Sequence, residues 1–226
     1  SESSYGRSVR ADGENISAAR SNFMVEHKFI TSLDYTTQLI GENDTRFSLV
    51  YVRKSGEPYS VTFDGNEDAF ANDRSDGGYD AAYIPTGASD PNVVFASSAV
   101  ADAVMAHVNS SGLRSFKGSV VPRNAFNSPW NSSLDLRITQ DIEVMEGHKV
   151  IVYLDITNLL NLIDDDKGII TEYSNRSRQI ILDSDNPYDS AGRYNIVGVD
   201  PDDGLRVYNK DGQSSYQWNL GFKYQF

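Results

Sequence analysis

Apolar and polar side chains alternate along the chain in five separate stretches, each of roughly ten residues or a little more. Between His27 and Leu39, Phe29, Leu33, Tyr35 and Leu39 share one parity, and Lys28, Ser32, Asp34, Thr36 and Gln38 share the other. Side chains of a strand point to opposite faces with period two, so this split predicts a strand over about 27–39 with one oily and one polar face. The same pattern predicts strands over about 45–54, where Phe47, Leu49 and Tyr51 oppose Ser48, Val50, Val52 and Lys54, and over about 132–142. In the latter, Leu134, Leu136 and Ile138 oppose Asp135, Arg137, Thr139 and Asp141. A fourth strand is predicted over about 149–158, with Val150, Val152, Leu154 and Ile156 against Ile151, Tyr153, Asp155 and Thr157. The fifth, about 215–226, sets Trp218, Leu220, Phe222, Tyr224 and Phe226 against Asn219, Gly221, Lys223 and Gln225. A soluble sheet seldom carries five large apolar side chains in succession on one face. A strand that faces lipid outward and water inward requires them.

Connection lengths sort into two kinds. Gly41-Glu42-Asn43-Asp44 and Glu146-Gly147-His148 are tight turns, whereas 64–131 and 160–214 are expected as long loops. Loops of that size are uncommon inside compact soluble domains. Short turns at one end and long loops at the other are the outer-membrane barrel pattern, and about ten residues suffice for a tilted strand to cross the hydrocarbon core. Tyr59–Phe63 is expected to prolong the second strand beyond the bilayer. Within 91–112, Val94, Phe95, Ala99, Val100, Ala103, Val104 and Val108 predict one short loop helix, with Gly112 as its C-cap. The fold class expected is all-β: C-terminal antiparallel strands of a transmembrane β-barrel with long extracellular loops, spanning 1–226. Five strands cannot close a barrel, and an open edge in lipid costs several kcal/mol per unpaired group, so further strands are expected elsewhere. The opening Ser-Glu-Ser-Ser, with no Met and no apolar leader, reads as an internal start, so those strands are sought in a precursor or a partner chain.

Bulk composition alone describes something else. The 226 residues have net charge −12, mean hydropathy −0.46 and no cysteine. These values fit an acidic soluble domain, and no stretch is apolar enough for a membrane helix. Barrel strands escape that test because only alternate residues are apolar. The acidity excludes a nucleic-acid surface, which needs clustered Lys and Arg, and the lack of cysteine removes disulfides and thiolate metal sites.

Several local motifs carry a family resemblance. The run Arg123-Asn124-Ala125-Phe126-Asn127-Ser128-Pro129-Trp130, followed by Leu134-Asp135-Leu136-Arg137-Ile138-Thr139-Gln140-Asp141, resembles the C-terminal barrel of Oar-like TonB-dependent outer-membrane receptors. Asp155-Ile156-Thr157-Asn158-Leu159-Leu160-Asn161, Ser55-Gly56-Glu57-Pro58-Tyr59-Ser60, Tyr83-Ile84-Pro85-Thr86 and the terminal Trp218 to Phe226 resemble segments of the same receptors, in the same order. The resemblance implies location in the bacterial outer membrane, a 22-stranded barrel, a plug and a TonB-contacting segment encoded elsewhere, and import of an external ligand. It also implies that Trp218, Leu220, Phe222, Tyr224 and Phe226 face lipid and form the signal read by the barrel-assembly machinery.

Candidate site residues follow from the polar faces. Asp135, Arg137, Tyr153 and Asp155 are the candidate lumen-facing ligand contacts, and Asp135 and Arg137 are the expected members of structural ion pairs formed across strands. Acidic clusters at Asp164-Asp165-Asp166, at Asp183 and Asp185 with Asp189, and at Asp200, Asp202 and Asp203 are candidate calcium loops, the last being the one to test. None has EF-hand spacing. His27, His107 and His148 fall in different predicted elements, and no hydrolase, P-loop or dinucleotide motif is present, so no enzymatic activity is expected. The competing reading is a secreted or surface acidic β-rich binding or adhesion module stabilised by calcium.

Overall fold

The computed structural model describes residues 9, 18–64, 80–173, 176–201, 205–208 and 212–226. It is mostly β-sheet, with 53 % strand against 13 % helix. In chain order the strands are β1 (Lys28–Ile40), β2 (Asn43–Lys54), β3 (Pro58–Asp64), β4 (Tyr83–Ile84), β5 (Val93–Phe95), β6 (Ser119–Val120) and β7 (Phe126–Asn127). They continue as β8 (Asn131–Met145), β9 (His148–Thr157), β10 (Ile170–Tyr173), β11 (Arg176–Leu182), β12 (Tyr194–Val199), β13 (Leu205–Tyr208) and β14 (Gln217–Gln225). Among the described residues there are also two helices, α1 (Ser98–Ser110) and α2 (Leu159–Ile163), and a 3₁₀ turn at Gly112–Phe116. The chain divides into two compact units: 1–24 with 57–128 and 173–206, and 25–56 with 129–172 and 207–226.

The second unit is built on a five-stranded antiparallel sheet in the order β1-β2-β8-β9-β14. These are the five alternating stretches, longer than ten residues at β1 (13) and β8 (15). Gly41 and Gly147, at φ +60° and +78°, make the tight turns of the two hairpins, a conformation that L side chains resist. The opposite end of the sheet carries every long connection. The sheet is not closed among the described residues, and β1 and β14 form its two edges.

The first unit corrects the expectation of long loops. Residues 64–131 and 160–214 supply β5, β7, β11 and β12, which with β3 form a second five-stranded sheet, order β5-β12-β11-β3-β7, in which β11–β3 and β12–β5 are parallel pairs. Tyr59–Phe63 does not prolong β2. The chain breaks at Ser55-Gly56-Glu57, and β3 runs inside this sheet between β11 and β7. Helix α1 starts later than its apolar spacing suggested, because Val94 and Phe95 belong to β5. Ser97 caps it, its hydroxyl accepting the Val100 N–H at 3.2 Å. It ends at Ser111 rather than at Gly112, which instead opens the 3₁₀ turn against the Phe126 ring, where a Cβ would approach to 2.8 Å. Val104 and Val108 of α1 pack with Val61, Phe63, Ile84, Leu113, Ile180, Leu182 and Ile196 into one core.

Candidate functional site

Strand register turns the alternation of the five strands into two continuous faces. Leu33, Leu49, Leu136, Ile156 and Trp218 align across the sheet as one row, and Tyr35, Phe47, Ile138, Leu154 and Leu220 as the next. A third row runs Thr37, Thr45, Gln140, Val152 and Phe222. The opposite face carries the row Asp34, Ser48, Arg137, Asp155 and Asn219, and the row Thr36, Arg46, Thr139, Tyr153 and Gly221.

The oily face is bare along its two edge strands, β1 and β14, and mostly half-buried on the three between them. Phe29, Leu33, Tyr35, Leu39, Trp218, Leu220 and Phe222 are each 60–77 % exposed, and the terminal Phe226 is 90 % exposed. Every buried apolar side chain among the described residues belongs to the first unit. Exposing a large apolar side chain costs about 1.5–3 kcal/mol, so those seven together forgo on the order of 10–20 kcal/mol. That matches the whole net stability of an ordinary domain, about 5–15 kcal/mol. A polar pair that does lie on this face is internally satisfied. The Thr45 hydroxyl donates to Gln140 Oε1 at 2.5 Å, and Gln140 Nε2 donates to the Asp141 carbonyl at 2.7 Å.

On the polar face the candidate ligand contacts form a cross-strand cluster. Arg137 lies directly opposite Asp155 and grips it with two N–H groups, Nη2 to Oδ2 at 2.7 Å, while its guanidinium lies 5.6 Å from the centre of the Tyr153 ring. Tyr153 in turn lies across Gly221, whose position would clash with any Cβ against the Tyr153 hydroxyl. Arg137, expected in a structural ion pair, thus forms one across strands, whereas Asp135, expected likewise, accepts the Asn158 N–H at 2.8 Å. Sequence reasoning missed a second network on this face. Arg46 joins Asp44 at 2.9 Å and Asp141 at 3.0 Å, and Lys149 reaches Asp141 at 3.0 Å. Arg46 sits one residue before Phe47 on the polar parity, which was the available signal. Asp44, Asp141 and Lys149 border a cleft of about 410 Å³ beside both hairpin turns, also lined by Glu42, Glu143 and His148.

The motif residues behind the family resemblance act as braces. Ser55 Oγ accepts the Glu26 and His27 N–H groups at 3.0 and 3.1 Å. Asn124, in the left-handed region at φ 57°, exchanges bonds with Ser60 and donates to the Arg20 carbonyl at 2.6 Å. Asn158 and Asn161 tie the end of β9 to the Gly168 carbonyl and to the Asp165 and Lys167 carbonyls at 2.9–3.1 Å.

In the first unit Asp90 is held by four donors: the Thr86 and Asn92 N–H groups and the Thr86 and Tyr83 hydroxyls, at 2.7–3.1 Å. Burial pushes its carboxyl up, but these bonds outweigh burial and hold it below the ordinary aspartate value. Burial, then the neighbouring Tyr173 ring stacked at 4.4 Å, pushes the Tyr59 phenol up to about 12.

The acidic loops are used in turn chemistry where they are described. Asp164 accepts the Asp166 N–H and pairs with Lys167 at 2.9 Å, and Asp183 accepts the Asp185 and Asn186 N–H groups at 2.9 Å. Asp189 receives two N–H groups and the Arg193 guanidinium. Asp200 donates its N–H to the Gln179 carbonyl at 2.9 Å, while Asp202 and Asp203 lie outside the described residues. Among the described residues no three His, Asp or Glu side chains are grouped to hold a metal ion. No described helix is long and apolar enough to cross a membrane, a fact without bearing on crossing by strands. No family model, curated protein or solved structure matches the chain.

Proposed function

We propose that the five-stranded sheet is a segment of the wall of a transmembrane β-barrel in the bacterial outer membrane. The chain is then the C-terminal part of a TonB-dependent type of receptor that binds and imports an external ligand. One observation carries this reading: an apolar face continuous over five strands in register, exposed along both edge strands, backed by a face that carries the charged and hydrogen-bonded side chains. Lipid on the first face and water on the second satisfy both. The free edges of β1 and β14 are where the remaining strands pair, as lipid demands of any spanning sheet. Arg137, Asp155 and Tyr153 belong to the lumen-facing surface, where their mutual pairing suits a wall or plug contact as well as a ligand contact. The first unit, folded around its own core, suits ligand recognition outside the membrane better than a flexible loop would.

The competing reading, a calcium-stabilised soluble β-module, needs the aromatic face buried between two sheets. Exposures of 65 % at Trp218 and 77 % at Phe222 weigh against it. Fractionation of cells expressing the full-length protein tests the proposal. The expected result is recovery with outer membranes and release only by detergent. Recovery among soluble periplasmic or secreted proteins would sink it.

A further inference from the structure

The oily face of the sheet has one charged side chain, and it is at the rim. From Phe29 to Thr37, Thr45 to Arg53, Ser132 to Ile142, Val150 to Ile156 and Trp218 to Tyr224, the residues of that parity include no Asp, Glu or Lys, and Arg53 is their single Arg. Arg53 occupies the outermost row, beside Phe29 and Ser132, at the end of the sheet away from both hairpin turns. Among the described residues it forms no ion pair; the contact it makes is with Trp130, 5.6 Å from guanidinium carbon to ring centre. Trp130 also stacks on His27 at 6.0 Å and Phe29 at 6.1 Å and is 44 % exposed.

We infer that Arg53, backed by Trp130, binds the phosphate of an anionic lipid headgroup at the membrane rim; this rests on the barrel-wall reading. An unpaired cation on an apolar face is costly at the bilayer midplane but nearly free at its interface, where Trp is also enriched. A cation–π contact with an indole uses none of the guanidinium N–H groups as hydrogen-bond donors to oxygen, so they serve a bidentate acceptor, for which phosphate geometry is suited. The adjoining apolar rows supply the surface along which the acyl chains of the same molecule lie. Carboxylates that would compete for the guanidinium belong to the opposite face, as Asp34, Asp135 and Asp155 do.

The test uses the full-length protein in detergent micelles, titrated with phosphatidylglycerol or phosphatidylcholine, with bound lipid counted by native mass spectrometry. The wild type is expected to retain phosphatidylglycerol in preference to phosphatidylcholine, and Arg53→Ala to need about 10-fold more phosphatidylglycerol for equal occupancy. Arg53→Lys keeps the charge without the fork and is expected to fall between, which also covers the case in which the alanine variant fails to fold. Equal retention of both lipids by the wild type, or an unchanged titration in Arg53→Lys and Arg53→Ala, overturns the inference. Displacement of the lipid by millimolar inorganic phosphate also overturns it, marking a free-anion site instead. A protein that inserts into vesicles yet shows no headgroup preference removes this inference alone, whereas one that never inserts removes the barrel reading with it.

Discussion

Ile180, Leu182 and Ile196 in the first unit are at most 1 % exposed, while Leu33, Leu220 and Phe222 in the sheet of the second are 61, 67 and 77 % exposed. The same chain therefore buries apolar surface in one unit and spreads it over a face in the other. The first unit is organised as water demands, with mixed strands and a capped helix around a shared core. The second has no described core at all, yet its strands are longer, its register is continuous and its polar face is laced with ion pairs. Under the proposed barrel reading, lipid on the oily side accounts for such order without a described core. The difference teaches that burial is a property of the finished environment, which each unit's own pattern of exposure reflects.

Substitutions that distinguish the two environments break this comparison most sharply. Leu154→Arg, in the middle of the oily face, is expected to destabilise the membrane-inserted protein by about 2–4 kcal/mol, read from urea titrations in vesicles. On a face that merely meets water the same change would be neutral, and that result would refute the contrast. Ile180→Ala in the first unit is expected to cost about 2–5 kcal/mol, by cavity formation, whether lipid is present or absent. A lipid-dependent penalty at Ile180 would blur the two regions into one.

Protonation sharpens the contrast further, since its effects belong to the first unit. The Asp90 carboxyl titrates lower when folded than when unfolded, so its contribution is present above the ordinary aspartate value, about pH 4, and is lost as pH falls through its folded value. Asp90→Asn should flatten the acid limb of the unit's stability curve; an unchanged limb would remove Asp90 as its cause. Tyr59 shifts the other way. Its contribution is full below pH 10.0 and lost as pH rises towards about 12, so alkaline unfolding accompanied by tyrosinate absorbance is expected there and should move in Tyr59→Phe. The smallest effect is expected at Arg137→Ala. Arg137 is more than half exposed, so loss of its pair with Asp155 should cost only about 0.2–1 kcal/mol, measurable by a double-mutant cycle with Asp155→Ala.

The sheet was legible because β14 keeps strict parity over nine residues and the other four strands keep one oily parity, although Ile30, Val50, Val52 and Ile151 interrupt the polar one, and the turns at Gly41 and Gly147 announce themselves. The first unit was hidden for the converse reason. Pro58–Asp64 is buried on both faces, and Ile180-Ile181-Leu182 is an unbroken apolar run, so neither alternates. Its parallel pairs join segments far apart in sequence, such as Val61 with Ser177, which no local pattern reveals. Helix α1 was found from its i, i+3, i+4 spacing, but that spacing also took in Val94 and Phe95 of β5. Among site residues, the parity of Asp135, Arg137, Tyr153 and Asp155 was readable, but their pairing was not, because partners are set by register across strands.

The central claim can be tested by nitroxide labels placed singly along β9, in a chain that has no native cysteine. In vesicles, labels at Val152, Leu154 and Ile156 should collide chiefly with lipid-soluble oxygen, and labels at Ile151, Tyr153 and Asp155 chiefly with a water-soluble nickel chelate, alternating with period two. Equal access of the nickel chelate to both sets, or protection of the first set without oxygen contact, would contradict a sheet that stands between lipid and water.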